Sequence, residues 1–457
     1  MNSDSVDWPP EAQWDILGAG FHESGLLERH APKYCDSGTW WGGALDVEGL
    51  ARHSAGLVGQ AVAELTAGRC RLRSTPAQLA AGFESFRHLR VAGHKVQAFA
   101  PLSGFFLTAD GWIRTHANYP HHERALLDAM RARTPEQLPG LLAQAGSLEA
   151  QERIVSAGGV AAAVRSRRQW LQSPEGQAAA AGPWAQFELH GIREAGAWQF
   201  RPEAKLPLAG LKILDFTRVI AGPTASRTLA ALGAQVLRVD GPRHAELHDQ
   251  HIDTGFGKRS TILDLAAVRG LAAAHGPLAQ ADVVILGYRP GALDALGLSA
   301  ELLRECYPQL VIAQLCAWGF AGPWASRRGF DSIVQAATGI ADAYRYPEGN
   351  PGTLPVQGLD YAAGYGIAAA VIALLRARRE LHSTGTVRIS LARTAQALFE
   401  FGGPSAPELA LGIPRVSRCT SGYGMLDYAL PPFELNGVQL DYPHSPTRYG
   451  ADEPVWT

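Results

Sequence analysis

A chain of 457 residues with a formal net charge of −2 has room for two or three domains, and it carries no bulk charge that would recruit nucleic acid or another polyanion. Its hydrophobic share of 46% and charged share of 18% are those of an ordinary globular protein. The five cysteines (Cys35, Cys70, Cys306, Cys316 and Cys419) are scattered, with no CxxC and no Cys/His cluster, which excludes the usual signals of a disulfide framework or a structural zinc site.

The first residues lack a basic segment followed by an apolar one, so no signal peptide is expected. The uncharged run 361–375 is shorter than the ~20 residues that span a bilayer, and it reads as a buried helix. The expectation is a cytoplasmic protein with no metal, no nucleic acid and no membrane partner.

Residues 1–40 are rich in Trp, Pro, Gly and His without periodicity and predict irregular covering structure. Leu50, Leu57, Val58, Ala61, Val62 and Leu65 then recur at helical spacing, so 45–65 is a predicted helix that Gly68 ends. Short strands are predicted at 86–90, 96–99 and 105–108, and Asp110-Gly111 signals a hairpin into 112–114. Helices around 121–133, 135–144 and 148–156 follow, with Gly158-Gly159 breaking the last before the Ala-rich 160–165. These make a small α+β unit that closes in the linker 201–207.

From Leu208 the pattern becomes strand and helix in alternation. Strands are predicted at 211–216, 235–240, 282–286 and 310–315, with the helix 224–232 after Ala221-Gly222-Pro223. Such alternation predicts a parallel sheet covered on both faces, whose ligands lie at the carboxyl ends of the strands. The loops 217–223, 240–243 and 287–290 are therefore the expected rim of a site. The domain reading is 1–85 as a covering segment and helix, 86–204 as the α+β unit, 205–402 as a Rossmann-like domain and 403–457 as a tail.

Two stretches echo one another. Gly43-Ala44-Leu45-Asp46, a long helix and Gly68-Arg69-Cys70-Arg71-Leu72 are matched by Gln357-Gly358-Leu359-Asp360, a long helix and Gly385-Thr386-Val387-Arg388-Ile389. Both continue into a helix bearing Ala, Gln and Phe, which points to a degraded duplication. Asp360 stands where a Pro- and Gly-punctuated segment turns into the apolar helix. It reads either as an N-cap or as a poorly solvated nucleophile or base. Asp46, at the echo position, reads as structural.

No GxGxxG, Walker loop, GxSxG or HExxH is present. What is present is an ordered series: 214–223 (LDFTRVIAGP), 232–240 (LGAQVLRVD), Gly257-Lys258-Arg259-Ser260, Leu263-Asp264-Leu265, 281–284 (ADVV), Arg289-Pro290-Gly291, Gly319-Phe320-Ala321-Gly322-Pro323, Gly329-Phe330-Asp331 and Gly358-Leu359-Asp360. Over residues 206–401 this series resembles the class III CoA-transferase family, the group of carnitine dehydratase, bile-acid-inducible proteins, formyl-CoA transferase and the α-methylacyl-CoA racemases.

The resemblance implies an α/β fold, with a Rossmann-like domain of that type preceded by a smaller α+β domain. It implies transfer of CoA from an acyl-CoA donor to a carboxylic acid, with coenzyme A as the substrate carrier. Asp360 would be the nucleophile and would pass through an aspartyl-CoA thioester. Val219, Ile220 and Ala221 match the loop that lies against CoA. Lys258, Arg259, Arg328 and Tyr288 match basic and aromatic positions near it, and Arg238 is a further candidate; each has the alternative of a plain surface or packing role. An interlocked homodimer is also implied.

Phe330 stands where the racemases carry His in a Gly-His-Asp motif, which favours transfer over two-base racemisation. An acyl-CoA racemase or isomerase, or a non-catalytic CoA-binding protein, remains the alternative. Asp331 either orients Asp360 or caps its own helix. His121-His122, opening a helix, reads as surface. The part resembling the family's small domain comes first here, whereas family members place it after the nucleophile-bearing half and then return to the large domain. This suggests a fused duplication in which the first copy kept its second half and the second copy its first half.

Overall fold

The computed structural model describes residues 11–29, 38–97, 99–193, 198–404 and 407–456. Cys35 and His30 lie outside these residues. At the centre is a seven-stranded sheet. Its strands, in chain order, are β1 Gln186–Gly191, β2 Lys212–Phe216, β3 Gln235–Asp240, β4 Lys258–Ile262, β5 Val283–Leu286, β6 Val311–Cys316 and β7 Ser383–Ser390.

The spatial order is β4-β3-β2-β5-β6-β7-β1, parallel except for the antiparallel edge strand β1. The β/α alternation predicted this α/β sheet, and it is the fold expected of a class III CoA-transferase. The predicted strands 211–216 and 235–240 form almost residue for residue. Three strands escaped notice: β1, whose Gln-Phe-Glu-Leu-His-Gly alternates as an edge strand should, β4, whose first two residues read only as a basic motif, and β7, whose residues read only as part of the internal echo.

Five helices position the site: α1 Glu11–Glu23, α2 Val47–Leu65, α3 Ala221–Ala231, α4 Asp331–Thr338 and α5 Gly358–Glu380. Helix α1 corrects the expectation of irregular structure in 1–40. Helix α5 is long and apolar enough to cross a membrane by length and composition, yet its whole apolar window is buried inside the protein. It packs along α2, which is buried on nearly all sides as well, and against α3. A Cβ on Gly364 would come within 2.5 Å of the Ala221 carbonyl, so glycine is what lets α5 lie this close to α3.

The two chain halves interleave. Strand β1 comes from the segment before residue 204 and completes the sheet of the second half through β7. The C-terminal hairpin Val416–Ser421/Gly424–Ala429 continues a sheet begun by Arg90–Val91 and His94–Lys95, while Leu72–Arg73 pairs with Glu434–Leu435. The predicted strand 86–90 is mostly a short helix, Ser85–His88, held where the Ser85 hydroxyl donates to Asp253 at 2.8 Å. The predicted hairpin at Asp110-Gly111 is present, with Phe105–Thr108 paired to Gly111–Thr115.

Candidate active site

The sheet order reverses between β2 and β5, and the loops that leave these two strands diverge there. In an open α/β sheet such a switch point opens a crevice at the carboxyl edge. Here a cavity of about 290 Å³ lies at that point, walled by Val219 and Ala221 after β2, by Gly287, Tyr288 and Arg289 after β5, and by Cys316 and Ala317 at the end of β6. A second cavity, of about 190 Å³, lies on the other side of Asp360. Val219, Phe330 and Asp360 line both.

Asp360 is not the N-cap of α5 but its third residue. The cap comes from elsewhere in the chain. Asp331, at the start of α4, accepts the Asp360 backbone N–H at 3.0 Å through one oxygen and a Gln335 amide hydrogen at 2.5 Å through the other. Gln335 in turn accepts the Leu354 N–H at 2.9 Å, fixing the extended approach to α5. Asp331 thus caps α5 rather than its own helix.

Because Asp331 takes the backbone donor, the Asp360 carboxylate has no hydrogen-bond donor among the described residues. It is only 7% exposed. Burial first, and the neighbouring Asp331 second, raise its pKa well above the usual carboxylate range. Burial also lifts Asp331, to about 6, against the pull of the hydrogen bonds it accepts from Gln335 and from the Asp360 and Leu359 N–H groups. Two close carboxyls cannot both ionise cheaply. The hydrogen-bonded Asp331 carries the charge more readily than Asp360.

The loop after β2 is strained. Val219 has φ of +66°, a left-handed conformation costly for a β-branched residue. It is held by its N–H, which donates to Glu246 Oε2 at 2.8 Å. Glu246 is gripped by Arg238 at 2.8 Å and by the Tyr119 hydroxyl at 2.5 Å. Although burial disfavours its charge, Arg238 and Arg218 hold its pKa down to about 2. Strain at Val219 is thus maintained by a buried anion.

The predicted cations divide sharply. Arg238 is buried between Asp240 and Glu246 and does not line either cavity; it shapes the loop through Glu246. Lys258 is 1% exposed, bound to Asp215 at 3.1 Å and to the Pro223 carbonyl at 2.8 Å. Burial lowers its pKa to about 8, against the attraction of Asp215. Arg259 is taken up by the C-terminal segment through Asp452 and the Val455 and Glu453 carbonyls. None of these three faces the cavity. In a strand, residues two apart share a side, so Arg238 and Asp240 were bound to meet.

Arg328 does face it, as do Val219, Ala221 and Tyr288; Ile220 lines the second cavity. Arg289 stands beside Arg328 and presses on its charge. Among the described residues neither has an ion pair or a side-chain hydrogen bond, so the pair offers two free guanidinium forks to an anion. Arg218 and Arg327 also line the cavity but are engaged, with Glu246 and the Ala245 carbonyl and with Glu152 respectively.

Tyr119, His121 and His122 come from the first half, which corrects the reading of His121-His122 as surface. Burial foremost, with neighbouring cations, lowers His122 to about 3 and His121 to about 4, so both are neutral near pH 7. His116 stacks on Phe330, ring centroids 3.7 Å apart and planes 11° from parallel. These contributions were illegible because they join segments some 200 residues apart.

Residues 208–408 match the model of CoA-transferase family III, so the resemblance read from the motif series is borne out over that part of the chain. A probable fatty acyl-CoA transferase of Mycobacterium tuberculosis is 34% identical over 205 residues, which cover 42% of this chain and 52% of that protein. Succinate–glutarate CoA-transferase of Agrobacterium fabrum is 33% identical over 197 residues, 39% of this chain and 49% of that protein. A crystal structure of the protein Rv3272 from M. tuberculosis aligns with a TM-score of 0.40 at 34% identity, covering 43% of this chain and 57% of that one. The chain thus spans about half the length of these relatives.

Proposed function

We propose that the protein transfers CoA between carboxylic acids, with Asp360 as the nucleophile. The observation that carries this reading is a buried carboxylate with no hydrogen-bond donor among the described residues, set in the shared wall of a cationic cavity and a second cavity. Family relatives named as CoA-transferases support it.

In this reading the Arg328–Arg289 pair receives phosphate oxygens of CoA, and the thioester reaches Asp360 past the Val219 loop. The carboxylate attacks the thioester carbonyl; a C–O bond forms, the C–S bond breaks, and CoA leaves as thiolate. The thiolate then attacks the aspartyl carbonyl of the mixed anhydride, releasing the donor acid and leaving CoA on Asp360. An acceptor carboxylate displaces that thiolate, and the thiolate attacks the new acyl carbonyl, yielding acyl-CoA and free Asp360. A carboxylate poor in hydrogen bonds is a strong nucleophile once ionised, and the dipole of α5 favours negative charge near its N-terminus.

The walls come from both chain halves, so one chain can complete the site. A homodimer, which the resemblance implies, and a cytoplasmic location belong to the proposal. Sedimentation and cell fractionation test them.

One observation favours a second reading, an acyl-CoA isomerase. An imidazole is present beside Phe330 after all, supplied by His116. Intact-protein mass spectrometry with a panel of acyl-CoAs separates the two. Transfer predicts a CoA-sized adduct, cleaved by hydroxylamine and missing in Asp360→Ala. α-Proton exchange in D₂O with no adduct would establish the isomerase instead.

A further inference from the structure

The second cavity has a chemical character of its own. Phe83, Phe86, Phe99, Phe330 and Tyr361 supply its walls, with Val356 and Leu247 between them. The only side-chain cation among its lining residues is Arg87, an exposed side chain that is already paired. One guanidinium nitrogen lies 3.1 Å from Glu84, which lines the same cavity, and the other donates to the Pro355 carbonyl at 2.9 Å.

Two polar groups are left over. Gln250 is 8% exposed, and its Nε2 has no partner. His116 is 4% exposed, and its Nδ1 has none either. An unpartnered amide in a buried wall costs free energy that a ligand acceptor would recover. Both groups are neutral near pH 7, since burial, with Arg114 adding to it, lowers His116 to about 3.

Resting on the proposed transferase reading, we infer that this cavity holds the acyl group, and that it selects monocarboxylic acids with an aromatic or branched apolar body over dicarboxylic acids. A second carboxylate here would meet five aromatic rings, the neutral amide of Gln250 and an arginine already paired with Glu84. Desolvating that charge against neutral donors alone is costly. An apolar acyl body gains contact with the rings, and one acceptor oxygen on it satisfies Gln250. A volume of about 190 Å³ suits a compact group such as a phenylacetyl or branched-chain acyl, not a long chain.

The test compares rates of CoA loading onto the native protein from phenylacetyl-CoA, isobutyryl-CoA, succinyl-CoA and glutaryl-CoA, read as the intact-mass adduct. The expected result is that the two monocarboxyl thioesters load at least about a hundredfold faster, the scale that a few apolar contacts and one buried charge command together. Faster loading from succinyl-CoA or glutaryl-CoA would overturn the inference while leaving the transferase reading intact. No adduct from any donor would remove that reading and the inference with it. Phe86→Ala, at a half-buried wall position, gives a second readout. Its loading rate should fall for isobutyryl-CoA and hold or rise for a bulkier donor such as naphthylacetyl-CoA. An unchanged ratio between these two donors would count against the assignment of the cavity.

Discussion

Asp46 and Asp360 open the two helices that pack along one another at the centre of the molecule, and both follow the same kind of Gly-bearing segment. Their environments differ by one hydrogen bond. Asp46 is a true N-cap: its Oδ1 accepts the Gly49 N–H at 2.6 Å, and it is buried and spent. Asp360 sits further into its helix, and Asp331 caps in its place. Borrowing the cap from another helix is what frees a carboxylate that would otherwise be structural. Similar sequence signals therefore yield a helix cap in one half and a non-capping carboxylate in the other.

The largest effect expected from breaking this contrast is at Asp360 itself. Asp360→Asn should lower turnover by about 10³-fold or more, as loss of a nucleophile does, while Asp46→Asn leaves it unchanged; steady-state kinetics check both. The same variant should gain stability over the native protein as pH rises. A raised folded pKa contributes stability below the unfolded value of about 4, and that contribution is lost as pH climbs through the folded one. Thermal denaturation from pH 4 to 8 would show the gap widening upward.

Next in size is the contrast between cations. Lys258→Met should destabilise the protein by about 3–5 kcal/mol, because it strands Asp215 in the core, yet it should leave the KM of the folded fraction near native. Arg328→Ala should do the reverse, raising KM for the thioester roughly 10- to 100-fold through the loss of a charge-assisted hydrogen bond, with little change in melting temperature. Denaturant titration beside KM measurement separates the two.

Smaller still is the effect on the acid limb of kcat/KM. In Asp331→Asn the like charge beside Asp360 is gone, so the limb should move to lower pH; a limb that moved upward would show that Asp331 is not a repulsive neighbour. The smallest change is Asp46→Ala, which should cost about 1 kcal/mol of stability and no activity.

The parallel sheet and the helix that carries Asp360 were legible because strand-helix alternation and one uncharged run need no long-range information. The cations were not. Lys258 and Arg259 read as a basic pair, but as neighbours on a strand they point to opposite sides, one into the core and one toward the C-terminal segment. Arg289 and Arg328, which do meet, are brought together by loops after different strands. The second cavity was hidden for the same reason: Phe83, Phe86 and His116 reach Asp360 only because the chain halves interleave.

The embrace of α2 and α5 also governs how the chain must be made. Roughly 300 residues separate the end of one helix from the start of the other, so at ~5–20 residues per second a ribosome needs on the order of 15–60 s to deliver the partner. Throughout that interval the face of α2 that packs on α5 has no native mate. Nascent chains stalled before residue 358 should therefore be clients of holding chaperones and prone to coaggregate, and the yield of active protein should depend on translation speed across the second half more than on the final stability of the fold.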